Sequence, residues 1–382
     1  MSERGTILLA GGGTGGHLYP GISVAQALAE ACPEVAPLFL CTNREIDAII
    51  LKPTGFQFMV QPIVPPQRNI GGLLRFWRSW RETKDMVRQV FSSTQPRAVL
   101  GLGGYAAGVA VKLAALSGLP AAILNPDVIP GRANQYLMKY VSAVCCQFEA
   151  TSAHVSREHR PKLRLTGCPV RREFAMPRER AQAAARLGLH PNLLTLVITG
   201  ASQGAATVNE AVLAVVSSLK LHGWQILHLA GRDHAGSVAQ AYRERALPAT
   251  VIDFTPEMAD VWAVADLAVS RAGASTCAEL TVCGVPSILM PYPYHKDMHQ
   301  RANASVLADA GAAVLLDDQK DARRNADRLR PVLERLLYDA GRRAEMAAAA
   351  RTLGRPDAAR SVVEVLKELT QMPSRSPMPK CV

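Results

Sequence analysis

One arrangement occurs twice in this chain and constrains its fold more than any other feature. An apolar run, Thr6-Ile7-Leu8-Leu9-Ala10, leads into Gly11-Gly12-Gly13-Thr14-Gly15-Gly16 and then into a helical pattern over residues 20–31. Near residue 193 the order returns: Leu194-Thr195-Leu196-Val197-Ile198, then Thr199-Gly200-Ala201-Ser202-Gln203-Gly204, then a helical pattern over residues 205–219. A buried strand, a glycine-rich turn and a helix N-terminus form the opening unit of a doubly wound α/β domain. Two copies about one domain length apart predict two such domains in tandem, and 382 residues suit that count.

Other short apolar runs fit the scheme. Residues 98–102 and 121–124 punctuate helices in the first half, as do 224–229, 250–252, 267–270 and 287–290 in the second. Each is bounded by Gly, Pro or polar residues, as buried parallel strands are. The turn Gly167-Cys168-Pro169 reads as a linker. The expected organisation is a first domain over 1–166, a second over 167–350, a helix over 351–372 returning toward the first, and a flexible tail over 373–382. The expected fold class is α/β, two Rossmann-like doubly wound domains facing a cleft, which is the default active site.

Both glycine loops can hold a phosphate, because glycine lets a ligand approach the backbone and a helix N-terminus offers unpaired N–H groups. Gly11-x-Gly13-x-x-Gly16 matches a dinucleotide fingerprint literally. That motif needs an acidic residue about 20 positions on, at the end of the second strand. Here the second run, 37–40, ends in Cys41-Thr42-Asn43, and the nearest acid, Glu45, falls late. No Gly-Lys-Ser/Thr follows either loop, which excludes a P-loop. His17 follows the first loop directly, and histidine changes charge near neutral pH, so it is the candidate general base. The alternative is a histidine that merely bonds backbone.

The formal net charge of +11 calls for an acidic partner: nucleic acid, anionic lipid or a phosphorylated substrate. Leu73, Phe76, Trp77 and Trp80 fall on one helical stripe edged by Arg75, Arg78, Arg81 and Lys84. Such a stripe suits partial insertion among anionic headgroups, or else it is the buried face of an ordinary amphipathic helix. A nucleic-acid partner would want a basic stripe with exposed aromatics or a known binding motif, and neither is present. No apolar stretch approaches the roughly 18 residues of a membrane span, and the first ten residues are too short for a signal-peptide core. The expectation is a cytoplasmic chain. Eight cysteines without a C-x-x-C pair read as reduced thiols rather than a zinc site.

Six motifs occur in a fixed order. They are Gly12-Gly13-Thr14-Gly15-Gly16-His17, Gly101-Leu102-Gly103-Gly104-Tyr105, Thr199-Gly200-Ala201-Ser202-Gln203-Gly204-Ala205 and Arg271-Ala272-Gly273-Ala274-Ser275-Thr276-Cys277-Ala278-Glu279. Pro291-Tyr292-Pro293-Tyr294-His295-Lys296-Asp297 and His299-Gln300-x-x-Asn303-Ala304 follow. From about Thr6 to about Arg351 the series resembles the MurG family of N-acetylglucosaminyltransferases. The resemblance implies an inverting transfer of N-acetylglucosamine from UDP-N-acetylglucosamine to a polyprenyl-diphosphate-linked muramyl-pentapeptide, in peptidoglycan synthesis. It implies a peripheral enzyme on the cytoplasmic side of the bacterial inner membrane, docked on an anionic surface.

Carried over by position, the resemblance implies that Ser202 and Arg171 meet the donor diphosphate. Backbone near Phe254-Thr255 would read the uracil, and Glu279 would take the ribose hydroxyls, since a carboxylate accepts from two at once. Gln300 and Asn303 would contact the sugar, and Thr14, Gly15 and Gly16 would close over the donor. Gly103, Gly104, Tyr105 and Asp127 are the candidate acceptor contacts. The family's His-Glu-Gln-Asn run is here Leu124-Asn125-Pro126-Asp127, and its Gly-Asn-Pro-Val-Arg turn carries Cys168 in place of Asn. No Asp-x-Asp occurs, so no obligatory metal is expected in the donor site, and no cofactor is expected. Rival readings are a related lipid glycosyltransferase, a UDP-sugar epimerase of the same architecture, or a nucleotide-sugar-binding protein that has lost catalysis.

Overall fold

A computed structural model describes residues 5–67, 69–200 and 204–371. The chain forms two compact units, Met1–Arg171 with Pro356–Val382, and Arg172–Arg355. The division falls after Arg171, so the turn 167–171 belongs to the first unit and not, as the linker reading had it, to the second. Ser202 and the tail 373–382 lie outside the described residues.

The first unit holds seven parallel strands: β1 (Gly5–Gly11), β2 (Val35–Cys41), β3 (Gln57–Val60), β4 (Ala98–Gly103), β5 (Ala121–Asn125), β6 (Ala143–Cys146) and β7 (Leu163–Leu165), in the order β3-β2-β1-β4-β5-β6-β7. The second holds six: β8 (Leu194–Thr199), β9 (Trp224–Leu229), β10 (Ala249–Ile252), β11 (Leu267–Ser270), β12 (Ser287–Leu289) and β13 (Ala313–Leu315), in the order β10-β9-β8-β11-β12-β13. In both sheets the chain starts in the middle, runs to one edge, then returns and runs to the other. The strand order therefore reverses between β1 and β4, and again between β8 and β11. At such switch points the loops at the strands' carboxyl ends diverge and leave a crevice.

Apolar residues fill both faces of each sheet. In the first unit the helix Gly15–Ala31 buries Leu18, Ile22, Val24 and Leu28 against β1 and β2. The helix Ala358–Gln371 adds Val362, Val363, Leu366 and Leu369 to the same core, so the last described helix is built into the first unit. In the second unit the helix Ala322–Tyr338 brings Leu329, Leu333, Leu336 and Leu337 against the helix Ala206–Val216. One polar group inside that core is fully partnered. His228 lies between Asn209 Oδ1 at 3.0 Å and Tyr242 Oη at 2.9 Å, and burial pushes its pKa down to about 3, which keeps the ring neutral.

The arginine-edged stripe divides in the structure. The helix Ile70–Thr94 turns Gly72, Ser79, Thr83, Val87 and Val90 inward, and Phe76 and Trp80 pack partly buried against that core. A Cβ on Gly108 would stand 3.2 Å from Trp80, which shows how closely the indole rides on the next helix. Leu73 and Trp77 face solvent at 44% and 58% exposure, joined by Ile70 and Leu74 at 81% and 66%. The outward apolar face is thus Ile70, Leu73, Leu74 and Trp77, and half of the stripe expected at a surface is core. Among the described residues no helix is long and apolar enough to cross a membrane.

Candidate functional site

In the first unit the residues singled out by sequence gather at the β1/β4 switch point. The loop leaving β1 turns through Gly13 at φ +85°, a conformation that favours glycine. Its shape is set from outside. Asp47, wholly buried on the helix Glu45–Leu51, accepts from the Gly13 N–H at 2.7 and 2.9 Å, from the Thr42 N–H at 2.8 Å and from the Thr42 hydroxyl at 2.7 Å. Arg44 donates to the Gly13 carbonyl at 3.0 Å and also bonds the Tyr105 hydroxyl; burial holds that phenol above its ordinary pKa, with Arg44 pulling the other way. Neither Asp47 nor Arg44 was recognisable as a site residue in the sequence. The acid sought there was one that would hold a ribose, and Asp47 instead spends its acceptors on the loop.

His17 sits in the first turn of the helix Gly15–Ala31, where its Nδ1 lies 3.1 Å from the Gly12 carbonyl and 3.4 Å from the Thr14 hydroxyl. A carbonyl can only accept, so the neutral ring carries its proton on Nδ1 and leaves Nε2 with a lone pair. The floor beneath the ring is Gly103-Gly104. A Cβ on Gly103 would come within 3.2 Å of Nε2 and one on Gly104 within 3.1 Å of Cε1, and both have left-handed φ, +113° and +71°. The two glycines therefore leave room for the imidazole, and the first two motifs are one structure.

The departures from the family pattern also meet. Asn125 is buried, donates to the Asp127 carbonyl at 2.8 Å and accepts from Asn134 at 3.1 Å, so it pins the turn after β5. Asn125, Pro126 and Cys168 line one small cavity with Gly16, of about 10 Å³, no more than a single water needs. Two substitutions far apart in sequence thus adjoin, and an apolar pair stands where the family pattern has polar residues. Arg171 lies over the Tyr19 ring, 5.0 Å from its centroid, on the same helix as His17.

In the second unit the loops after β8, β10, β11 and β12 carry the remaining motifs. Arg271, 6% exposed, donates to Asp318 at 2.7 Å, to the Met290 and Pro291 carbonyls at 2.9 and 3.1 Å and to Thr207 at 2.9 Å. Burial alone would raise the Asp318 carboxyl; bonds from Thr207, Asn325, the Lys320 N–H and Arg271 outweigh it and hold the group below the usual carboxylate range. This arginine ties the β11 and β12 loops together from beneath. Asn303 is wholly buried and donates to the Ala272 carbonyl at 3.1 Å, so it supports that loop. Its neighbour Gln300 is half-buried and its Oε1 accepts from the Tyr292 N–H at 3.0 Å, so the group it can offer a sugar is its amide N–H₂.

Glu279 lies in the second turn of the helix Ala274–Cys283 and not at the strand-to-helix turn where the sequence put it. Its Oε2 accepts from the Trp262 indole at 3.0 Å, which fixes the carboxylate's direction and uses one of roughly four acceptor positions. Thr255 follows β10 in a short turn, its hydroxyl accepting from the Glu257 N–H at 3.0 Å, beside a Phe254 ring that is 46% exposed.

Two parallel doubly wound units, each with a glycine loop at its switch point and one with an oriented carboxylate and amide, suit an enzyme acting on a nucleotide sugar. Comparison with known proteins gives the particular group. The glycosyltransferase family 28 N-terminal domain matches residues 7–146 and the family 28 C-terminal domain residues 195–362. A UDP-N-acetylglucosamine–N-acetylmuramyl-(pentapeptide) pyrophosphoryl-undecaprenol N-acetylglucosamine transferase of Bacillus licheniformis is 35% identical, covering 95% of this chain and 98% of its own. The corresponding transferase of Halothermothrix orenii is 31% identical with the same coverage. The crystal structure of Acinetobacter baumannii MurG superposes with a TM-score of 0.75 at 25% identity, covering 95% of this chain and 99% of its own. The chain belongs to glycosyltransferase family 28 and, within it, to the MurG transferases. A UDP-N-acetylglucosamine 2-epimerase of Neisseria meningitidis shares the fold, with a TM-score of 0.70, at only 14% identity.

Proposed function

We propose that the enzyme moves N-acetylglucosamine from UDP-N-acetylglucosamine to the muramyl sugar of a polyprenyl-diphosphate-linked pentapeptide, with inversion, and that the two units divide the work. The observation that carries the mechanism is the Nδ1 contact between His17 and the Gly12 carbonyl, which leaves Nε2 able to accept a proton. In the first unit, Nε2 takes the proton of the attacking hydroxyl, while Gly103, Gly104, Tyr105 and Asp127 receive the acceptor. In the second, Glu279 takes the ribose hydroxyls, the Phe254-Thr255 backbone reads the uracil and Gln300 donates to the sugar. In the second unit the departing diphosphate gains its stabilisation from the N-terminus of the helix that follows the glycine turn after β8, with no metal required in the donor site. Product analysis with UDP-N-acetylglucosamine and the lipid acceptor tests the reading: the lipid-linked disaccharide is expected. An epimerised sugar nucleotide, or no product, would overturn it.

The acceptor is lipid-linked, and the exposed Ile70, Leu73, Leu74 and Trp77 beside Arg75, Arg78 and Arg81 suit docking on the anionic cytoplasmic face of the inner membrane. At about 1 kcal/mol per arginine near the surface, three arginines favour anionic over neutral vesicles by about 100-fold. Changing all four apolar residues to Ser is expected to lower vesicle binding at least about tenfold without shifting the melting temperature. Undiminished binding to phosphatidylglycerol vesicles would remove this surface.

A further inference from the structure

The loop that joins β12 to the helix His299–Asp309 contains a cluster that the transfer reaction does not use. His295, Asp297 and His299 each offer one ligand atom, and these atoms all lie within 4.8 Å of one another. His299 Nδ1 is 2.7 Å from Asp297 Oδ1, and the two imidazoles stack with centroids 4.5 Å apart. Tyr292 meets the edge of His295 at 4.7 Å and so limits where that ring can turn. The chain doubles back to make the cluster through Met298, a non-glycine residue at φ +51°. Such a conformation costs free energy and persists only when its surroundings impose it.

We infer that these three side chains bind a divalent transition metal ion, of which zinc is the natural representative. Two neutral imidazoles and one carboxylate form the donor set that zinc, nickel and copper accept and that magnesium and calcium disfavour. Three protein ligands leave a further position to water, as in open zinc sites. In binding, the ion takes the place of whatever proton the His299–Asp297 pair shares, and each ring presents a nitrogen lone pair to it. The site lies immediately before Gln300. Occupancy therefore adds a tie to the segment whose next residue, Gln300, accepts from the Tyr292 N–H.

The experiment is calorimetric titration of the untagged, reduced full-length chain with ZnCl₂, repeated on His295→Ala, His299→Ala and Asp297→Asn. His295 and Asp297 are exposed loop residues and His299 is the half-buried first residue of the helix, so the unliganded variants should melt close to the wild type. One zinc per chain is expected, weakened at least about tenfold by each histidine change and less by Asp297→Asn. Binding should also weaken as pH falls, because protons compete with the ion for the imidazole nitrogens. Two results overturn the site: no binding by the wild type at millimolar zinc, or undiminished binding in the double variant His295→Ala/His299→Ala, which would put the ion on thiols elsewhere.

Discussion

Replacing His17 by alanine is expected to lower kcat by about 10²- to 10⁴-fold, the usual contribution of a positioned general base. The KM for UDP-N-acetylglucosamine should stay near the wild-type value, because the nucleotide contacts assigned to the second unit are untouched. The expectation rests on orientation. With Nδ1 at the Gly12 carbonyl, the imidazole cannot rotate without losing its bond, and the Gly103-Gly104 floor lets the ring lie flat against the β4 loop. Gly104→Ala therefore gives a second way to the same end. Its Cβ would stand 3.1 Å from Cε1, at φ +71°, so the ring must tilt or the loop must strain. That variant should lose turnover in the same direction while His17 is still present. Steady-state kinetics on both proteins, with melting curves to confirm folding, decide the matter. An alanine at 17 that turns over within severalfold of the wild type leaves the histidine as a helix-terminal residue that bonds backbone.

The repeated strand, glycine loop and helix were legible because central parallel strands are buried on both faces and read as unbroken apolar runs. The same physics hides the edges. In β3 three of four residues are exposed, and β7 has three residues, none buried, so neither run stands out. The helix after the first loop begins at Gly15 and not near Pro20, because the loop's last glycines already form its first turn. Helical period gave the surface stripe its direction only approximately. Leu73, Phe76, Trp77 and Trp80 share a stripe, but the seam that packs inward runs through Gly72, Ser79 and Thr83, whose small or polar side chains carry no hydropathy signal. The different surroundings of Gln300 and Asn303 were hidden for a related reason. Asn303 lies one turn after Gln300, and the turn that separates them carries one into the core and leaves the other half-exposed. Motif order located the loops well; which side chain within a motif supports and which faces outward depends on contacts made by other segments.

Asp47→Ala is expected to destabilise the first unit by about 3 kcal/mol or more and to lower kcat/KM by about 100-fold, although this residue is walled off from solvent. The stability estimate follows from what is left behind. The Gly13 N–H, the Thr42 N–H and the Thr42 hydroxyl all donate to this one carboxylate, at 2.7 to 2.9 Å. A buried donor stripped of its partner costs about 1–3 kcal/mol, and relaxation or an entering water recovers part of the sum. In a unit of this size 3 kcal/mol lowers the melting temperature by about 6–12 °C. The kinetic estimate follows from geometry. Gly13 immediately precedes Thr14, and the Gly12 carbonyl that orients His17 belongs to the peptide unit whose N–H Asp47 holds. Releasing that peptide lets the carbonyl rotate, and a displacement of about 1 Å at a reacting group costs about 100-fold. Asp47→Asn separates the two effects. It keeps the volume, but its N–H₂ must face donors where an acceptor is required, so stability should fall less than in the alanine variant while His17 orientation is still disturbed. The measurement is a pair of melting curves with kcat/KM for each variant. If Asp47→Ala melts with the wild type and turns over normally, the glycine loop holds its shape without the carboxylate, and the bonds between that loop and the helix Glu45–Leu51 are incidental to catalysis.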